Sequence, residues 1–420
     1  MVRTLWRVGF ALVVAVGALL SRTAFTPVAF TQSGTWTVIP SPNQGTRDNE
    51  LLGIAAVSAN DIWSVGSVNV GPYTESLRTL TEVWNGTSWS IVPSPNPATI
   101  TGDYDALRGV AALSASNVWA VGYSGCVSCY GDQSLIEHWN GTGWSIVSNP
   151  NPYTSQDLYG IAAVSANDIW AVGRYGFTPY GALIEHWNGI QWSTVSNPGT
   201  QALYGVTALA SNNVWAVGDS EILHWDGTTW SVVASPSGDY LRAVAAVSAN
   251  DIWAVGYLEV GSGEGYTYAP AIEHWDGSSW TVSYSAFPAF PNNDTLTLAG
   301  VTALSATSVW AVGGYAGFSF VEQWNGTQWT EVSNPNVSSS ANRFEAVTSL
   351  PTTGDLWAVG EYFSATTSSY QTLIEESPNN PVAPPPTSTP TPSSTSTPTI
   401  LPTSTDTPTP VPTCVHRKCH

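Results

Sequence analysis

One motif is written seven times along this 420-residue chain, and a second is written six times whole and once in two pieces. The first reads Gly-Ile-Ala-Ala-Val-Ser-Ala-Asn-Asp-Ile-Trp-Ala-Val-Gly, with its tryptophans at Trp63, Trp119, Trp170, Trp215, Trp253, Trp310 and Trp357. The second reads Leu-Ile-Glu-His-Trp-Asn-Gly-Thr-x-Trp-Ser-x-Val and gives the pairs Trp84/Trp89, Trp139/Trp144, Trp187/Trp192, Trp225/Trp230, Trp275/Trp280 and Trp324/Trp329. Its seventh copy is divided. Leu373-Ile-Glu-Glu-Ser377 closes the repeat region, and Gly34-Thr-Trp36-Thr-Val-Ile39 opens it. A chain that completes its last repeat with its first residues must bring those two ends together, which an open solenoid does not need and a closed ring does.

Each unit reads as four short strands, A to D. Strand A is Gly-Ile-Ala-Ala-Val, and a tight Ser-Ala-Asn-Asp turn leads to strand B, Ile-Trp-Ala-Val. A connection of variable length leads to strand C, Leu-Ile-Glu-His-Trp. Asn-Gly or Asp-Gly then predicts a two-residue hairpin to strand D, Thr-x-Trp-Ser-x-Val. Four-stranded units of ~40–50 residues are propeller blades. The expectation is an all-β, seven-bladed β-propeller over residues 34–378, its last blade completed by the N-terminal strand.

Composition fits this reading. Twenty of the 21 tryptophans are repeat positions, the exception being Trp6. Only 10% of residues are charged, and the net charge is −19. Few charges with many aromatics exclude a wholly disordered acidic chain. A negative balance excludes general nucleic-acid binding, which needs clustered Lys and Arg.

The ends lie outside the ring. Residues 1–33 read as a signal peptide and lead-in: Arg3 and Arg7 precede the apolar run Val8 to Leu20, too short for a comfortable membrane span. The mature form is expected to carry no span and to be secreted or displayed at the cell surface. Residues 379–413 read as a disordered stalk; from Pro381 to Thr413 there are 11 Pro, 11 Thr and 5 Ser. Residues 414–420 form a Cys/His tip. In an exported protein, Cys126 with Cys129 and Cys414 with Cys419 read as local disulfides.

With these repeats the chain resembles secreted bacterial propellers built on Val-Trp-Ala-Val-Gly and Trp-Asn-Gly-Thr-x-Trp. It is more distantly similar to kelch, tectonin and Asp-box propellers, without the kelch double glycine or the Asp-box Ser-x-Asp-x-Gly-x-x-Trp. The resemblance covers residues 34–378 and implies the fold; it transfers no site.

The repeated residues read mostly as construction. The strand B tryptophans fill the gaps between blades. In the predicted hairpin Trp139 pairs with Thr142 and Glu137 with Trp144, so Glu137, Trp139 and Trp144 share a face. A carboxylate beside two indoles suits either a structural hydrogen bond or a sugar. His138, His186, His224 and His274 recur on the scaffold strand, which argues for structure, since a catalytic apparatus is normally single. The turns Asn60-Asp61, Asn167-Asp168 and Asn250-Asp251 lack the dense spacing of a calcium loop.

The B–C and D–A connections differ from unit to unit and share one rim. The B–C segments 67–80, 123–134, 174–182, 257–270 and 361–372 are read as loops. All 17 tyrosines fall in or beside these connections, as do the six arginines of the domain: Arg47, Arg78, Arg108, Arg174, Arg242 and Arg343. Both residue types are enriched in binding surfaces. The position before the strand A Gly or Ala is placed at the channel mouth and reads Leu52, Arg108, Tyr159, Tyr204, Arg242, Ala299 and Glu345 around the ring. Candidate ligand-binding residues are Arg108, Tyr159, Tyr204, Arg242 and Glu345, with Tyr123, Arg174 and Tyr257 beside them.

These features point to a secreted or cell-surface binding protein, a monomer recognising a glycan or protein ligand at the variable rim. A protein-interaction or surface scaffold is the alternative, and a glycan-active hydrolase or lyase a second one. Loop carboxylates such as Asp103, Asp105, Glu259 and Glu264 show no specific spacing. No catalytic motif, cofactor fingerprint or metal-ligand motif is present, so no enzyme, cofactor or metal is expected.

Overall fold

The computed structural model describes residues 35–71, 76–98, 103–126, 131–178, 180–261, 267–286, 295–339 and 341–378. All lie in the unit Met1–Val382, and the unit Ala383–His420 falls outside them. The signal, the stalk and the tip read from the sequence therefore lie outside the described residues, as do Cys129, Cys414, Cys419 and Glu264. Cys126 is disulfide-bonded.

Seven four-stranded antiparallel sheets follow one another along the chain. Blade 3 is typical, with strand A at Gln156–Ser165, B at Asp168–Tyr175, C at Gly181–Trp187 and D at Trp192–Thr194. Blade 7 takes its first three strands from Asn342–Ser349, Leu356–Ser364 and Ser369–Ser377. Its fourth is Thr37–Val38, in register as Thr37↔Glu376 and Val38↔Glu375. The split motif is thus the ring closure.

The tryptophans interlock neighbouring blades. Each strand B indole packs on the hairpin pair of the next blade: Trp63 lies 5.0 Å from Trp139 and 5.4 Å from Trp144. Trp253 lies 5.0 Å from Trp324 and 5.5 Å from Trp329. At the closure, Trp310 packs on Trp36 at 6.3 Å. In blades 1 to 6 the strand B indole donates to the side chain at the end of the preceding turn, as Trp170 Nε1 does to Asp168 Oδ1 at 3.0 Å. The same Oδ1 meets His186 Nε2 at 2.8 Å, and the His186 ring stacks on Trp170 at 4.2 Å. His138, His224 and His274 repeat this arrangement, so the recurrent histidines brace the blade.

The strand C glutamates are buried between blades. Glu82, Glu137, Glu185, Glu273, Glu322 and Glu375 are 0% exposed, with Leu223 in the fourth blade. Several take donors from the connection that precedes their own blade: Asn149 Nδ2 reaches Glu185 at 3.1 Å, Ser235 Oγ reaches Glu273 at 2.7 Å and Ser285 Oγ reaches Glu322 at 2.8 Å. Burial removes them from any sugar.

The C–D hairpins correct the predicted register. Trp139 pairs with Trp144, His138 with Ser145 and Glu137 with Ile146, so the loop holds four residues. The cause is the Asn side chain. Asn140 Oδ1 accepts from the Thr142 amide at 2.9 Å, the Thr142 hydroxyl at 2.7 Å and the Gly143 amide at 3.1 Å, an Asx turn that a two-residue loop has no room for. Glu137, Trp139 and Trp144 still share a face, because the slip preserves parity.

The predicted B–C loops are also shorter than expected. Pairing continues to Asn69↔Leu77, Val260↔Thr267 and Ser364↔Ser369, so strands B and C rise as hairpins in blades 1, 5 and 7. In blades 4 and 6 they turn over at 219–220 and 316–317.

Candidate functional site

The channel mouth is built by one irregularity repeated seven times. Strand A loses register with strand B after Leu51, Leu107, Leu158, Leu203, Leu241, Leu298 and Phe344. The extra residue in each bulge is Leu52, Arg108, Tyr159, Tyr204, Arg242, Ala299 or Glu345. A bulge re-aims the extra side chain out of the pleat. All seven line one cavity of about 350 Å³. The next residue is small because the neighbouring blade's backbone lies against it. A Cβ on Gly160 would stand 2.7 Å from the Tyr204 carbonyl. On strand B, the glycine of Val-Trp-Ala-Val-Gly faces the bulge; a Cβ on Gly173 would fall 1.9 Å from the Asp157 carbonyl. The repeat glycines therefore exist to let the bulges form.

Six of the eight candidate residues line the cavity: Arg108, Tyr159, Tyr204, Arg242, Tyr257 and Glu345. Tyr123 and Arg174 stand behind them. Tyr123 Oη lies 3.4 Å from Arg108 Nη2, and Arg174 lies 5.6 Å over the Tyr159 ring and 4.2 Å over Tyr180. Arg343 also lines the cavity, and the candidate set lacks it. It lies two residues before Glu345 and directly opposite Glu361 on strand B, and a basic residue just ahead of a mouth position is the signal that could have found it.

The arginines fall into two groups. Arg174 is bound to Asp157 at 2.7 Å. Arg343 is held by Glu345 at 2.6 Å and Glu361 at 3.2 Å. Arg108 and Arg242 have no carboxylate at ion-pair distance among the described residues. Arg242 donates to Tyr257 Oη at 2.6 Å and lies 3.9 Å over the Tyr204 ring. Arg108 lies over Tyr123 and Tyr159, at 5.4 and 5.7 Å, and its Nε is buried without a hydrogen-bond partner. Aromatic faces hold these guanidinium groups in place, and the carboxylates that act on them, Glu50 and Glu345 on Arg108 and Asp219 and Glu345 on Arg242, do so from beyond ion-pair distance.

The cavity thus carries three guanidinium groups and one carboxylate, within a chain of net charge −19. Burial, helped by the nearby Glu50 carboxylate, holds the Glu345 carboxyl above its ordinary value against the pull of Arg343, Arg108 and Arg242. Burial also holds the Tyr159 and Tyr204 phenols above their ordinary value, so both stay protonated, donating to Asp157 and Asp219 at 3.1 Å. On the opposite arc the apolar Leu52 and Ala299 flank the Arg343–Glu345 pair. Such a site fits a ligand with a negative group on one side.

Of the loop carboxylates, Asp103 and Asp105 are buried, and Asp105 accepts from the Ala98 amide at 3.1 Å. Glu259 is exposed.

No protein-family model and no curated protein matches the chain. Solved structures do. YCF48 bound to D1 peptide is similar over 84% of this chain and 98% of that one, at 13% identity and a TM-score of 0.52. The WD40 repeats of RRP9 match over 82% and 97%, at 11% identity and a TM-score of 0.54. The GH74 xyloglucanase from Xanthomonas campestris matches over 81% of this chain and 55% of that one, at 10% identity and a TM-score of 0.51. At such identities the likeness carries architecture alone: the chain is similar to known β-propellers, and it is itself a seven-bladed one.

Proposed function

We propose that the protein is a binding module that captures an anionic ligand, a glycan or a protein segment, at the channel mouth on its variable rim. The observation that carries this is the pair Arg108 and Arg242, two guanidinium groups fixed by tyrosines with no carboxylate at ion-pair distance among the described residues of an otherwise acidic chain. Export to the cell exterior and action as a monomer belong to the same proposal; the n-region, the apolar run to Leu20 and the Pro/Thr-rich stalk support export.

Recognition is favoured over hydrolysis by the carboxyl count. Glycoside hydrolysis ordinarily takes two carboxyl groups flanking the bond. Among the described residues the cavity is lined by one, Glu345, and Arg343 engages it. A protein ligand is the second reading, favoured by the peptide bound to the structurally similar YCF48.

The test is a glycan array and a peptide pull-down with the purified protein and with an Arg108→Gln, Arg242→Gln variant. Binding to acidic members of either set should be lost in the variant. Binding that survives both substitutions rules out the mouth as the site.

A further inference from the structure

The mouth opens onto an aromatic shelf in blade 5. Tyr240 precedes Arg242 by two residues on strand A and pairs directly with Tyr257 on strand B. Tyr257 in turn pairs with Pro270 on strand C, two residues beyond Tyr268. By strand alternation the three tyrosines share one face. Their rings touch in series: Tyr257 stacks on Tyr240 at 5.3 Å and 19°, and meets Tyr268 edge-on at 5.0 Å. Arg242 lies 5.1 Å over Tyr257 at the inner end. The series therefore runs outward from the mouth, from a fixed positive charge to half-exposed rings. Among the described residues, the phenols of Tyr240 and Tyr268 have no hydrogen-bond partner, whereas that of Tyr257 receives the Arg242 donor.

Main-chain groups contribute little here. A ligand lying on this face meets side chains, since strands A and B are paired within the sheet as far as Tyr240↔Tyr257 and strands B and C as far as Val260↔Thr267. A peptide added as an extra strand draws its affinity from free main-chain donors and acceptors. The shelf instead presents ring faces and phenol hydroxyls, with the exposed Glu259 carboxylate opposite Tyr268 on the same face. Pyranose rings match that surface, with C–H faces for stacking and hydroxyls for the phenols, and a row of rings suits a chain of sugars.

Resting on the anion reading above, we infer that the ligand is an acidic oligosaccharide with a defined direction. Its carboxylate- or sulfate-bearing sugar sits between Arg108 and Arg242, and the following sugars run outward over Tyr257, Tyr240 and Tyr268.

Titration calorimetry on the purified protein tests this with five probes: galacturonic acid, a galacturonate tetrasaccharide, the methyl ester of that tetrasaccharide, a sulfated tetrasaccharide, and an acidic tetrapeptide. One of the acidic tetrasaccharides should bind at least tenfold tighter than the monosaccharide, and the ester should bind at least tenfold more weakly than the free acid. If only the sulfated probe binds, the inference holds with sulfate as the acid group. Tyr240→Ala with Tyr268→Ala, both half-exposed and expected to leave the melting temperature unchanged, should erase the gain with chain length and spare the monosaccharide. Arg108→Gln with Arg242→Gln should remove binding of both. An unchanged length gain in the tyrosine variant, with loss in the arginine variant, overturns the shelf and leaves the mouth standing. Binding of an acidic tetrapeptide with no acidic sugar overturns the glycan. No binding of any anionic probe overturns shelf and mouth together.

Discussion

The two rims of this ring are made from the same seven units and differ in what they repeat. On the rim of the A–B and C–D connections, backbone and side chain both recur. The first hairpin indole donates to the A–B turn of its own blade in six blades, for example Trp84 to the Ala59 carbonyl at 3.1 Å and Trp275 to Ala249 at 3.2 Å. The C–D loop is an Asx turn closed by Asn or Asp, whether at Asn140 or at Asp226. On the other rim only the backbone recurs. All seven strand A bulges are present, and they deliver two Arg, two Tyr, one Glu, one Leu and one Ala to the mouth. A repeated backbone device with an unrepeated side chain is a mount, and its chemistry is free to suit a ligand instead of the fold.

The sharpest way to break the contrast is to exchange the expected consequences. Trp253 belongs to the repeated set, is 1% exposed and packs on Trp324, Trp329 and His274. Trp253→Ala should cost about 3–5 kcal/mol, as large buried truncations do, and lower the thermal midpoint by several degrees. Arg242→Gln on the mouth should do the reverse. Folding stability should stay within about 1 kcal/mol of the parent, while affinity for an anionic ligand falls about 10- to 100-fold, the range of a charged hydrogen bond. Equal stability losses from both, read by thermal melts, would dissolve the distinction between frame and mount.

The ring, the closure and the mouth position were legible because each is carried by residue type. The split copy locates Thr37–Val38 beside Ser369–Ser377. A small residue after Arg108 or Tyr159 marks the bulge, since the neighbouring backbone needs that space. Three features were hidden. The Asn-Gly dipeptide carries a two-residue turn signal that the Asn140 side chain overrides by capping two amides. Hairpin height above the mouth depends on pairing such as Val260↔Thr267, which polar, Gly-rich sequence does not announce. Whether an arginine is neutralised depends on neighbours distant in sequence: Asp157 pairs with Arg174, and among the described residues no carboxylate comes within ion-pair distance of Arg108.

Between the rims lies the row of buried glutamates, whose effect runs through pH. Burial pushes the Glu82 carboxyl up to about 8, and among the described residues neither of its oxygens has a hydrogen-bond partner. Glu375 is also raised to about 8, and Glu185 and Glu322 to about 7, by burial first. These folded-state values exceed the unfolded value of roughly 4.3. The folded state therefore holds protons that the unfolded chain has released. The stabilisation is full below about pH 4.3 and is lost as pH rises through 7 and 8. Denaturant unfolding should show the ring less stable at pH 8 than at pH 5. Glu82→Gln should gain about 1 kcal/mol or more at pH 8 and change little at pH 5, since one unit of raised pKa is worth about 1.4 kcal/mol. Stability that rises from pH 5 to pH 8 would contradict the burial account.

The smallest effect tests the repeated rim by restoring its one lapse. In the C–D loops the third position is Thr87, Thr142, Thr228, Ser278 or Thr327, and each hydroxyl donates to the Asn or Asp at the loop's start, as Thr327 does to Asn325 at 2.8 Å. Blade 3 has Ile190 there, 83% exposed, and Asn188 keeps only the two amide bonds, at 2.9 and 3.0 Å. The backbone is already in the turn, so a hydroxyl at this site needs no rearrangement to reach Asn188. Ile190→Thr should therefore stabilise by about 0.5 kcal/mol, the low end for a solvent-exposed hydrogen bond, seen as a small rise in denaturant midpoint with an unchanged slope. A loss would mean that the isoleucine serves blade 3 in a way the other loops do not share, and the two rims would then differ less than their geometry implies.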